Sequence, residues 1–130
     1  MDLFFSFEGR IPRSRFWIGV IALVVVMWIL MAILALVFGT SMMMTYDPNK
    51  PEASIAAMMS AMIPIGIISL ISIWPSLAIY AKRWHDRNKS GWWSLIMLVP
   101  FIGGIWILVE LGCLRGTDGP NDYGDDPLER

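Results

Sequence analysis

The chain has 130 residues, 56% of them hydrophobic and 16% charged, with a net charge of −1. That length is one domain, and so small a soluble domain could not hide this much apolar surface, so its solvent is partly lipid. The charge balance supplies no basic face for nucleic acid, and the single cysteine, Cys113, excludes an intrachain disulfide framework or cysteine zinc site.

The expected fold is an all-α integral membrane protein, a single membrane domain over residues 1–130 with spans at about 16–38, 62–81 and 92–111 and a polar tail over 115–130. The first run, Phe16 to Phe38, has 23 residues without a charge. As a helix it would be roughly 34 Å long, enough to cross a hydrocarbon core of about 30 Å. It is too long for the core of a signal peptide and no A-x-A site follows, so it reads as a retained anchor.

The second run is charge-free from Ala53 to Ala81. Its Met-rich start, ASIAAMMSAMIP, reads as an entry turn or interfacial segment, with the span proper from about Met62 to Ala81. Pro75 should kink it, leaving the carbonyl near Ile71 to Ser72 or Ser76.

The third run, Trp92 to Val109, has 18 residues, just sufficient for a crossing, but Pro100, Gly103 and Gly104 interrupt it. It is either a kinked span or a re-entrant hairpin turning at the glycine pair. A span would leave the tail outside. A hairpin would return the tail to the side it started from, where Asp118, Asp122, Asp125 and Asp126 could neutralise the basic loop.

Arg10, Arg13 and Arg15 precede the first run, and Lys82, Arg83, Arg87 and Lys89 follow the second, against Lys50, Arg115 and Arg130 elsewhere. The positive-inside rule puts the N-terminus and the loop after the second run in the cytoplasm, with residues 39–52 outside. Phe16, Trp17, Tyr80, Trp84, Trp92 and Trp93 fall at the same boundary, where amphipathic rings settle.

The stretch YAKRWHDRNKSGWW, Tyr80 to Trp93, carries the densest polar chemistry. On a continuing helix Arg83 and Arg87 share a face at i and i+4 and could clamp a lipid phosphate, while Lys82 and Asp86 can pair beside them. His85 could titrate near neutrality. Against these stands a plain topology anchor whose Lys and Arg snorkel and whose Asn88–Gly91 segment is a turn. FEGRIPRSRFW, Phe7 to Trp17, repeats the basic-then-aromatic style, and the two patches could share one phosphate-binding surface.

Glu110 closes a long apolar run near an interface, where solvation explains it more simply than function. A lone histidine speaks against a metal site, the acidic tail lacks the EF-hand pattern, and Met42–Met44 is explained by its apolar setting. The sequence implies no cofactor and no metal.

Four motifs in order, GRIPRSRFW, KRWHDRNKSGWW, LVPFIGG and GTDGPNDYGDDP, resemble the bacterial inner-membrane family of the domain of unknown function 805 (DUF805), which includes YhaH-like proteins. The family's middle motif, R-R-L-H-D-x-x-x-S-G-W-W, maps onto Arg83, His85, Asp86, Ser90, Gly91, Trp92 and Trp93, with Lys82 and Trp84 as departures. Gly9, Arg10, Arg13 and Trp17 match at the front, and Gly116, Gly119, Asn121, Tyr123, Gly124 and Pro127 at the back. The resemblance implies a small multi-pass protein of the bacterial inner membrane and no particular reaction.

The expected function is a non-enzymatic membrane component that binds anionic lipid headgroups or a protein partner. Its binding residues would be Arg10, Arg13, Arg83, His85, Asp86, Arg87, Trp92 and Trp93. Two alternatives stay open: an enzyme or carrier acting on a lipid-linked phosphate through His85 and Asp86, and a small transporter built as a homo-oligomer.

Overall fold

The computed structural model describes residues 3–129. It is helical: α1 (Arg13–Thr45), α2 (Pro51–Asp86), a 3-10 helix (Gly91–Leu98), α3 (Ile102–Ile107) and a π-helical turn (Leu108–Cys113). No strand element occurs among the described residues. The chain divides into two compact units, one of residues 1–22 with 73–130, the other of residues 23–72.

The unit of residues 23–72 holds the far parts of α1 and α2 and the turn joining them. Asp47 shapes that turn, its side chain accepting from the Asn49 amide (2.9 Å) and its carbonyl from the Lys50 amide (3.0 Å). Pro51 then opens α2, its fixed φ and missing N–H suiting a first helical position. The Met-rich segment, expected as an entry turn or an interfacial segment, is helical from the outset. Helix continues through Pro64 and Pro75 without interruption. Ser69 Oγ donates to the Ile65 carbonyl (2.8 Å) and Ser72 Oγ to the Ser69 carbonyl (2.7 Å), so these hydroxyls are satisfied within the helix.

None of the described side chains between 23 and 72 is buried. An apolar helix of a soluble protein would turn one face into a core. Here α1 and α2 are each long and apolar enough to cross a membrane, with their most apolar stretches uncovered by protein. At 33 and 36 residues they measure about 50 and 54 Å. Each therefore exceeds a hydrocarbon core of about 30 Å by several turns.

The other unit contains the packed core: Ile11, Phe16, Ala78, Ile79, Ala81, Trp84, Ile107 and Leu111. Here α1 and α2 touch, with Phe16 against Tyr80 (centroids 6.0 Å apart) and Gly19 under Ile79. Asn88, at φ 55°, ends α2 in a left-handed cap: the Lys89 amide bonds the Trp84 carbonyl and the Asn88 amide the His85 carbonyl, both at 2.9 Å. The turn expected at Asn88–Gly91 falls at Arg87–Asn88, and Gly91 already opens the 3-10 helix.

The third apolar run is not one helix. Its 3-10 half ends at Leu98, the chain turns at Pro100–Phe101, and α3 packs back against the 3-10 helix. Phe101 takes φ 64°, a costly conformation for an aromatic residue. Gly103 lies so close to the Ile96 carbonyl that a Cβ could not be accommodated. The run therefore starts and finishes beside the polar end of α2, in the manner of the hairpin alternative.

Candidate functional site

The site is the polar end of α2 with the segments gathered round it. The return of the third run brings the carbonyls of residues 111–115 to the end of a helical segment, where they lack backbone partners. Side chains supply five of them. Arg83 donates through Nε to Leu111 (2.7 Å) and through Nη2 to Leu114, Trp17 donates to Gly112 (3.2 Å), Arg13 to Cys113 (2.8 Å), and Arg87 to Arg115. Guanidinium groups suit helix C-termini, where carbonyl dipoles leave partial negative charge. Much of the basic cluster thus holds the chain's own backbone.

Asp86 sits at the centre of a second network. Arg10 approaches its carboxylate through Nη2 (3.2 Å) and Nε (3.3 Å), and Arg83 Nη1 pairs with the other oxygen. Arg10, Arg83 and Asp86 are all at most 2% exposed. An ion pair this buried is held by charge-assisted hydrogen bonds rather than by exposed surface attraction, and removing one member costs about 3–5 kcal/mol.

The remaining Arg10 donors go to the tail: Nη1 to the Gly119 (2.7 Å) and Gly124 (3.1 Å) carbonyls, Nη2 to Thr117 carbonyl (2.6 Å) and hydroxyl (3.0 Å). Gly119 and Gly124 have φ of 74° and 127°, which aim those carbonyls at one guanidinium at little steric cost. Thr117 also donates its amide (2.8 Å) and hydroxyl (3.1 Å) to the Asp86 carbonyl. Asn121 donates to the His85 carbonyl (2.9 Å), and the Asp122 amide to Asn88 (3.2 Å). The tail was expected, if it returned, to meet the basic cluster through its carboxylates; Arg10 is held by its carbonyls. Asp126 accepts from the Gly119 and Leu128 amides and so stabilises the tail's own loop.

His85 is half-buried and stacked on Tyr123, with ring centroids 4.0 Å apart and planes within 4°. Its Nδ1 lies 3.3 Å from the Gly9 carbonyl, which assigns the ring proton to Nδ1 and leaves Nε2 as an acceptor. Burial pushes its pKa below the ordinary 6.5, with the Gly9 bond acting in the opposite direction. Glu110 is paired with Arg87 (3.1 Å) and Lys89. That explains an acidic group at the end of an apolar run without a catalytic role. Lys89 also lies over the rings of Trp84 (5.7 Å) and Trp93 (5.6 Å).

The eight residues singled out in the sequence therefore divide. Arg10, Arg83 and Asp86 are interior; His85 and Arg87 are half-buried; Arg13, Trp92 and Trp93 are exposed, Trp92 at 78%. The geometry does not leave Arg83 and Arg87 jointly free as a phosphate clamp, because Arg83 is buried and turned inward. Thr117, which carried no signal of its own in the sequence, proves central. Gly116, Gly119, Asn121 and Tyr123 stood out only through the family pattern.

Fold and site together define a small all-helical protein with two membrane-length helices and a polar cap built from its N-terminal segment, the end of α2 and its tail. The chain belongs to the family described as protein of unknown function (DUF805), whose model matches residues 4–125. It is 30% identical over 122 residues to inner membrane protein YhaI of Escherichia coli K12, covering 94% of this chain and 86% of that one. Inner membrane protein YhaH of the same strain is 27% identical (94% and 87% covered), and uncharacterized protein YiiR 28% identical (94% and 86% covered). These names support the inner membrane as the location. No solved structure matches the chain significantly.

Proposed function

We propose that this protein is a non-enzymatic component of the bacterial inner membrane whose cytoplasmic face binds anionic lipid headgroups. In this reading α1 and α2 cross the bilayer, and the third run enters it and returns. Lys50 is the single Lys or Arg between Arg15 and Lys82, so the positive-inside rule assigns the N-terminus, the α2 end and the tail to the cytoplasm.

One observation carries the headgroup reading. Arg10 and Arg83 are saturated by the chain's own acceptors, whereas Arg13, Arg15 and Arg115 are exposed, in a unit that also exposes the ring of Trp92. Each basic residue near an anionic surface contributes about 1 kcal/mol, and an interfacial Trp fixes depth. The enzyme or carrier alternative requires His85 and Asp86 together at a ligand. Asp86 is enclosed by Arg10 and Arg83, which leaves His85 alone and weakens that reading.

The test is native mass spectrometry of lipids retained by the purified protein. Replacing Arg13, Arg15 and Arg115 by Gln should weaken phosphatidylglycerol retention by about a hundredfold while the protein stays folded. Unchanged retention in a folded triple variant would refute the reading.

A further inference from the structure

Beside the basic face lies a cavity of different chemistry. Its volume is about 380 Å³, within the range of small-molecule sites, and it lies between α2, the 3-10 helix and the N-terminal segment. Phe7, Leu77, Ala81 and Leu95 give it apolar walls, and among the described residues no Lys or Arg lines it. Its polar equipment is His85 together with Ser90 and Ser94.

Two of these carry hydrogen-bonding capacity that the protein does not use among the described residues. His85 Nδ1 is committed to Gly9, so its Nε2 lone pair is an acceptor. Gly91 borders the cavity next to it: a Cβ there would stand 3.7 Å from Nε2 and only 2.8 Å from the Ala81 Cβ, so the position stays bare. Ser94 is 8% exposed, and its hydroxyl has no hydrogen-bond partner among the described residues. A buried hydroxyl without a partner is unfavourable by about 1–3 kcal/mol, and a bound ligand would supply what it lacks.

We infer that this cavity is a binding site for an uncharged amphiphile, an apolar chain ending in a hydroxyl that donates to His85 Nε2 and pairs with Ser94. With no Lys or Arg lining it among the described residues, the cavity offers a phosphate head no counter-charge, which a desolvated anion needs. The site thereby differs in chemistry from the headgroup-binding surface proposed above, and Trp92, exposed beside that surface, also lines the cavity. Its ligand chemistry, a neutral alcohol on a hydrocarbon tail, is offered by a diacylglycerol or by a prenol.

His85 is the only histidine in the chain, so its imidazole nitrogens can be observed without assignment. The experiment titrates dioleoylglycerol, farnesol or dioleoylphosphatidic acid into the protein in phosphatidylcholine nanodiscs and follows the Nε2 resonance. A saturable shift with dioleoylglycerol, with farnesol or with both, and none with phosphatidic acid, is the expected result, and the two alcohols separate the sources. Ser94→Ala should weaken that binding roughly tenfold, the equivalent of one hydrogen bond. It should also leave the melting temperature of the unliganded protein unchanged or higher, because nothing is lost but an unpaired hydroxyl. An equal shift with phosphatidic acid, no saturable shift with either alcohol, full binding by the Ser94 variant, or a lowered melting temperature of that variant without ligand would each overturn the inference.

Discussion

Gly116 lies against the carboxylate of Asp86 so closely that a Cβ on residue 116 would overlap both of its oxygens. The absence of a side chain at 116 therefore lets the tail reach Thr117 to the Asp86 carbonyl and Gly119 to Arg10. Gly116→Ala should push the tail from its seat and cost about 1–3 kcal/mol, the range for overpacking. Limited proteolysis should then cut between 116 and 129 well before the wild type is cut. Equal protection of the two proteins would count against this packing.

The buried charges make a sharper prediction. Asp86→Asn leaves two inward guanidinium groups without their counter-charge, and Arg10→Gln leaves the carboxylate with Arg83. Each substitution should destabilise by about 3–5 kcal/mol, and the double variant by clearly less than the sum, because the second change removes a group the first had already stranded. Denaturation in detergent checks this. Additive losses would mean that the two residues act independently.

These two networks also show what the sequence could and could not reveal. The membrane-spanning length and apolar character of α1 and α2 follow from composition and run length, which are local properties, and the boundary of aromatics and charges marked the polar end of α2. The fate of Arg83 was not local. Its partners Leu111 and Leu114 lie 28 and 31 residues away and offer backbone carbonyls, which every residue type possesses and which leave no compositional trace. A phosphate clamp and a carbonyl clamp look alike until the third run is known to fold back. The family pattern in the tail was the better guide, since glycines at 116, 119 and 124 mark a loop whose shape matters more than its charge. The continuous helix over residues 51–61 is not legible in the sequence, because Met, Ala and Ser carry no clear period there.

Trp84 is fully buried, and its indole nitrogen has no hydrogen-bond partner among the described residues. Trp84→Phe loses volume, which normally costs a core position stability, but it also removes a buried unpaired donor that is unfavourable by about 1–3 kcal/mol. The two effects should nearly cancel, with a net change within about 1 kcal/mol by thermal melting. A loss above about 3 kcal/mol would indicate that the indole N–H is satisfied in the native protein.

The lowered pKa of His85 gives a pH dependence of known sign. Below the ordinary imidazole value of 6.5 the unfolded chain takes up a proton that the folded chain, with His85 half-buried against Tyr123, resists. Stability contributed by His85 is thus complete above 6.5 and declines as pH falls from there through the depressed folded value. Comparing unfolding at pH 7 and pH 5.5 should show a loss that is smaller in His85→Gln, which keeps a polar ring-sized group without the titration. The same loss in both proteins would assign it to other groups.

The final prediction concerns which side the third run ends on, and the chain offers its own probe. Cys113 is the single cysteine and is exposed, at the point where the run returns and Arg13 grips its carbonyl. Arg13 begins α1, so in the proposed topology Cys113 shares a membrane face with the N-terminal end of that helix. A kinked crossing would have carried residue 113 to the opposite face. A membrane-impermeant maleimide should therefore label Cys113 in inverted inner-membrane vesicles and leave it unmodified in intact spheroplasts. Labelling only from the outer side would reverse the orientation if a reporter after Lys50 reversed with it. If that reporter remained outside, the hairpin itself would be disproved, and with it the gathering of Arg13, Arg83 and Arg87 on the carbonyls of residues 111–115.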